Sequence, residues 1–103
     1  MAYSYLFDPA AAKEYEEAFN WYEKKSYLAA DNFIIRVQEA ITAICTDPYR
    51  YRNGYKNLRE LPLKKYPHQV IYYIDDARSS VVIVSIFHQK RNPKKKYNKK
   101  GGA

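Results

Sequence analysis

One cysteine in 103 residues, Cys45, excludes an internal disulfide, and a lone thiol fits a reducing compartment. Two histidines and that cysteine, with no H-x-x-x-H or C-x-x-C spacing, supply no metal-ligand set, so neither a metal nor another cofactor is expected. Glycine occurs three times, at 54, 101 and 102, which excludes a glycine-rich phosphate loop. No apolar run approaches the roughly 18 residues a membrane helix requires. The N-terminus shows no basic start followed by an apolar stretch, so no signal peptide is read. The expectation is a cytoplasmic protein with no membrane partner. Acidic residues are missing altogether from residues 77–103, which hold eight Lys and Arg.

What the chain does contain is tyrosine, 12 residues of it. Tyrosine buries a ring and keeps a polar tip, so it suits cores, interfaces and base-stacking surfaces. Charge is sorted along the chain toward a total of +7: residues 1–47 carry four basic and eight acidic side chains, residues 48–76 six basic and three acidic. The basic end suits nucleic acid or an acidic partner. The length fits one domain, read as residues 1–97, with a flexible basic and glycine-containing tail at 98–103.

Alternation in Tyr3-Ser4-Tyr5-Leu6-Phe7 predicts a short strand. Asp8 can cap the helix that follows and Pro9 fits its first position. Tyr15, Ala18, Phe19 and Tyr22 form that helix's apolar stripe, and Lys24-Lys25 suit its negative end. A second helix is predicted from Ser26 or Tyr27 to Asp47-Pro48, with Phe33, Val37, Ala40, Ile41 and Ile44 facing the core. The short link makes the pair an antiparallel hairpin. Residues 48–55 are read as a loop turning at Asn53-Gly54. Strands are predicted at 58–64 (demoted to an edge or a bulge by Pro62), at 68–74 and at 80–87. The near-continuous apolar run Val81 to Phe87 suits a central strand. The order is β-α-α-β-β-β. It predicts an α+β fold with the helical hairpin on one face of a mostly antiparallel four-stranded sheet.

The last strand ends at His88-Gln89-Lys90-Arg91-Asn92-Pro93, with Lys94 and Tyr97 following. A rigid strand fixes its final residues in space. An imidazole, a guanidinium and a phenol held there could cut RNA, grip a phosphate or dock on a protein. These elements, with the helical hairpin from Trp21-Tyr22 to Pro48, Arg59, His68-Gln69-Val70-Ile71-Tyr72-Tyr73 and Ile86 to Pro93, together resemble the RelE/ParE superfamily of bacterial type II toxins. The resemblance spans about residues 3–97 and implies a cognate antitoxin that neutralises the chain. It also implies one of two targets: mRNA on the ribosome for RelE-like members, DNA gyrase for ParE-like members.

Metal-free RNA cleavage needs a base, a cation beside the phosphorane-like charge, and an acid for the leaving oxygen. His88 is the candidate base, Arg91 and Arg59 the cations and Tyr97 the acid. Lys64, Lys65, Lys90 and Lys94 are candidates to hold phosphates. Gln69 and Gln89 stand where the resemblance leads one to expect arginine, and Glu60 and Pro62 lie along a strand expected to be basic. Losing one charge-stabilising group costs about 100- to 1000-fold in rate, so the ParE-like reading, binding of gyrase, is preferred. The ribosome-dependent mRNA endonuclease is the alternative, and a non-toxic basic nucleic-acid-binding module the third reading. Tyr15, Trp21 and Tyr22 on the hairpin are the candidate antitoxin contacts, together with the free sheet face.

Overall fold

The computed structural model describes residues 3–90. Strand β1 (Ser4–Phe7) leads into helix α1 (Pro9–Lys25), and helix α2 (Tyr27–Thr46) follows after Ser26 alone. Both helix starts are fixed by side chains. Asp8 accepts the Ala10 N–H at 2.9 Å, and Ser26 Oγ accepts the N–H groups of Leu28 and Ala29 at 3.1 and 3.3 Å. Helix α2 stops one residue before Asp47-Pro48. Four strands complete the chain: β2 (Arg52–Tyr55), β3 (Leu58–Pro62), β4 (His68–Asp75) and β5 (Ser80–His88), with a 3₁₀ turn at Asp76–Arg78 between the last two.

The predicted order stands with one strand added. The sheet has five strands in the order β1-β5-β4-β3-β2, with β1 parallel to β5 and every other pair antiparallel. The addition is β2, which lies in the stretch expected to be a loop. Asn53-Gly54 does not turn the chain: Asn53 pairs with Arg59, and the register shifts between Asn53 and Tyr55. The reversal falls two residues later, where Lys56 takes a left-handed φ of 50°. Gly54 sits at the irregularity, a place where glycine is also common in strands.

Both helices lie on one face of the sheet. Phe33, Val37, Ile41 and Ile44 of α2 meet Val70, Tyr72, Val81, Ile83 and Ile86 of β4 and β5 in the main core. A smaller cluster, Leu58, Ile71, Val84 and Phe87, forms on the other face. Between these clusters β5 carries a bulge. Tyr72 pairs with Ile83 but Ile71 pairs with Ser85, so β5 has one residue, Val84, more than its partner. Strict alternation from Ile83 would turn Phe87 toward the helices. The extra residue reverses this, and Ile86 and His88 face them instead.

The bulge has its own support. Pairing with β1 ends at Phe7 opposite Ile83, and α1 passes the exposed edge of β5 beyond that point. There Glu14 of α1 accepts from Ser85 Oγ at 2.8 Å and from the Ile86 N–H at 3.0 Å. A carboxylate thus replaces the strand partner that β1 is too short to provide.

Candidate functional site

The residues with the most chemistry gather where β4 begins and β5 ends. His68 and His88 are paired in register, and their rings stand nearly edge to face with centroids 4.9 Å apart. His68 is buried; Tyr22 Oη lies 3.2 Å from its Nε2, and Phe33 packs against its ring. His88 is half-buried. Its Nδ1 accepts the Lys90 N–H at 3.1 Å, so the neutral ring carries its proton on Nε2.

Together the two imidazoles line a cleft of about 390 Å³ with Ala18, Trp21, Tyr22 and Pro67. The β3–β4 loop closes beside it through Leu63 N–H to His68 O and Gln89 N–H to Pro67 O. That loop carries Lys64 and Lys65, both exposed, with Lys65 at φ 67°. Lys90 follows the end of β5 and is also exposed. His88, Lys65 and Lys90 therefore share one end of the sheet, while Lys64 lines a separate cleft toward α2. The candidate residues Arg91, Lys94 and Tyr97 lie outside the described residues, as does the tail at 98–103.

Arg59 does not join this group. It pairs with Tyr72, four residues along β4 from His68, about 13 Å at strand spacing. Its guanidinium donates to the carbonyl oxygens of Tyr49 and Tyr51 at 3.1 and 2.8 Å and lies over the Tyr49 ring. In this position Arg59 pins the α2–β2 connection. Tyr72 beneath it is fully buried and donates its hydroxyl to Pro48 O at 2.6 Å; burial pushes its phenol far above the ordinary range.

The face away from the helices holds an acidic feature that no sequence pattern announced. Glu60 and Gln69 are both buried there, and Gln69 Nε2 donates to Glu60 Oε1 at 2.9 Å. Arg52 reaches the same carboxylate oxygen at 3.8 Å from the exposed rim. Glu60 and Gln69 were legible as departures from a basic strand, but their contact across β3 and β4 was not.

Of the candidate partner contacts, only Trp21 is an open surface, at 51% exposure with Lys25 Nζ 5.0 Å above its ring. Tyr15 stacks on Phe7, and Tyr22 packs between Phe33 and Tyr66, so both serve the core first. Cys45 is buried and burial raises its thiol pKa, which suits the packing role. No group of three or more metal-binding side chains occurs among the described residues, and no described helix is long and apolar enough to cross a membrane.

Against known proteins, residues 5–93 match the family described as the ParE toxin of the type II toxin–antitoxin system, parDE. No curated protein matches the sequence. Among solved structures, the chromosomal ParDE system from P. aeruginosa superposes with a TM-score of 0.66 at 12% identity, covering 84% of this chain and 96% of that one. The RelBE2 toxin–antitoxin complex from Mycobacterium tuberculosis gives 0.61 at 17% identity, covering 85% and 99%. A mutant of the E. coli toxin RelE in the free state gives 0.61 at 17%, covering 90% of each chain. At these identities the likeness is one of fold alone.

Proposed function

The chain belongs to the ParE toxin family of type II toxin–antitoxin systems, and from that premise we propose that it is held silent by a cognate antitoxin and poisons its cell by binding DNA gyrase. The observation that carries the choice of target is the buried Glu60–Gln69 pair. A nuclease surface must stabilise added negative charge on a phosphate, and preorganised cations are the means. Here the face away from the helices buries a carboxylate against a neutral amide, with Arg52 3.8 Å from it at the rim. One further observation agrees. Arg59 is occupied by backbone carbonyls about 13 Å along the sheet from the histidine pair. A protein-binding mode asks for none of these groups.

Supercoiling by purified gyrase is expected to fall on addition of the protein and to recover when antitoxin is added. Unchanged supercoiling at micromolar protein would remove gyrase as the target. The alternative is ribosome-dependent mRNA cleavage, motivated by the gathering of His88, Lys65 and Lys90 at one sheet end. Primer extension on translated mRNA is expected to show no toxin-dependent stops. Stops that vanish in His88→Ala would establish the endonuclease in its place.

A further inference from the structure

We infer that the outer edge of β1 pairs with the same edge of a second copy of this chain, joining two sheets across a two-fold axis at Leu6. The backbone selects the pairing. Ser4 and Asp8 donate their N–H groups to Ser79 O and Ile83 O at 3.0 and 2.8 Å, and the parallel ladder runs from Ser4 opposite Ser80 to Phe7 opposite Ile83. Backbone groups alternate between the two sides of a strand, so residues 4, 6 and 8 bond toward β5 while Tyr5 and Phe7 turn their N–H and C=O outward. No described residue bonds to those outward groups. Tyr3 also points its N–H that way, but Cys45 O accepts it at 2.8 Å. An antiparallel partner centred on Tyr5 would need the Tyr3 N–H; one centred on Leu6 needs only Tyr5 and Phe7. In that register Tyr5 exchanges hydrogen bonds with the partner's Phe7, and Phe7 with the partner's Tyr5. Leu6 then faces the partner's Leu6 as the close, non-hydrogen-bonded pair, about 4.5 Å between Cα atoms.

The side chains suit a second copy. Tyr5 lies on the helix side with Phe7, which stacks on Tyr15, so the pairing sets Tyr5 beside the partner's Phe7 as an aromatic cross-strand pair. Leu6, on the opposite side, is 54% exposed, and self-pairing takes its side chain out of water. The chain carries +7, so most pairs of like surfaces repel. Tyr3 to Phe7 hold no charged side chain. Sheet edges are commonly guarded against pairing by charge, proline or a bulge. The far edge is guarded in this way: β2 carries Arg52, its register shifts between Asn53 and Tyr55, and Lys56 follows at once. Strand β1 has none of these devices, and its register with β5 is unbroken. A contact on one face that repeats itself about a two-fold axis closes as a dimer. So short an edge buries little surface, which sets the dissociation constant on the order of 10–100 µM.

Sedimentation equilibrium of the full chain from about 5 to about 500 µM, a range that brackets weak association, is expected to show monomer giving way to dimer. Hydrogen exchange at the Tyr5 and Phe7 amides should slow over the same range. Leu6→Lys sets two ammonium groups face to face at the axis and is expected to weaken the dimer at least about 30-fold. Leu6→Asp should do the same, and an equimolar mixture of the two variants should dimerise again. That recovery requires position 6 of one copy to face position 6 of the other, and it shows that both variants fold. Leu28→Lys, at an exposed apolar residue of the helical hairpin, is expected to leave the dimer within about 2-fold. A monomer at every concentration, equal losses in Leu6→Lys and Leu28→Lys, or a mixture that stays monomeric would each overturn the inference. So would protection of the Tyr5 and Phe7 amides that arises only when antitoxin is added, which would give this edge to the antitoxin. The inference is independent of the choice between gyrase and mRNA as target.

Discussion

Asp76 carries more of the architecture than its exposure suggests. Its carboxylate accepts hydrogen bonds from the hydroxyls of Tyr49 and Tyr3, which tie the α2–β2 connection and the N-terminal segment to the β4–β5 turn. The bond from Tyr49, then that from Tyr3, holds the Asp76 carboxyl below its ordinary value, and both phenols are raised in turn by the same bonds. A depressed carboxyl stabilises the fold fully above its unfolded value, about 4. That contribution is lost as pH falls through the lowered folded value. The raised phenols act at the other end: their contribution is complete below about 10 and is lost as pH rises through the folded values. Asp76→Asn is therefore expected to flatten both limbs of a plot of Tm against pH. Scans from about pH 2 to 5 and again above about pH 10 check it. An unchanged acid limb would mean that the clamp adds nothing to stability.

Among the elements, β5 is the one whose local irregularity sets the site. Its bulge is held by Glu14, and Glu14→Ala removes the acceptor from Ser85 Oγ and the Ile86 N–H at once. Leaving such groups unsatisfied costs about 1–3 kcal/mol. The variant should lose stability in urea by that amount and show faster hydrogen exchange at the Ile86 amide, with helix amides little affected. The helices were readable beforehand because side chains punctuate them: Asp8-Pro9, Ser26 and Asp47-Pro48 act through local bonds and sterics. The strand ends were less so. Asn53-Gly54 carries a turn signal, yet pairing of β2 with β3 outweighed it, and the reversal moved to Lys56. An added residue in a strand that is apolar on both faces leaves no trace in the hydrophobic pattern, so the sequence offered no sign of the bulge.

At the scale of the whole molecule, Phe33 is where the layers meet. Fully buried on α2, it touches the rings of Tyr15 and Tyr22 on α1, Tyr66 in the β3–β4 loop and His68 on β4. Phe33→Ala is expected to cost about 3–5 kcal/mol, a large part of the roughly 5–15 kcal/mol that holds such a domain together. Urea unfolding followed by Trp21 fluorescence measures it, and a loss under about 1 kcal/mol would show that the aromatic cluster is not the joint between helices and sheet. Layer order and helix placement were legible because they follow from period and punctuation. The meeting of His68 with His88 and of Glu60 with Gln69 required strand register and long-range packing, which one sequence does not encode locally.

Val84 acts as a parity bit for the end of β5. Counted into an unbulged ladder, it would exchange the surroundings of Phe87 and His88, sending the benzyl group beneath the helices and the imidazole to the opposite side, with composition untouched. Loss of its codon would instead straighten the strand and keep Phe87 opposite Gln69 and His88 opposite His68, so a shortened β5 would present the same chemistry to whatever approaches the sheet.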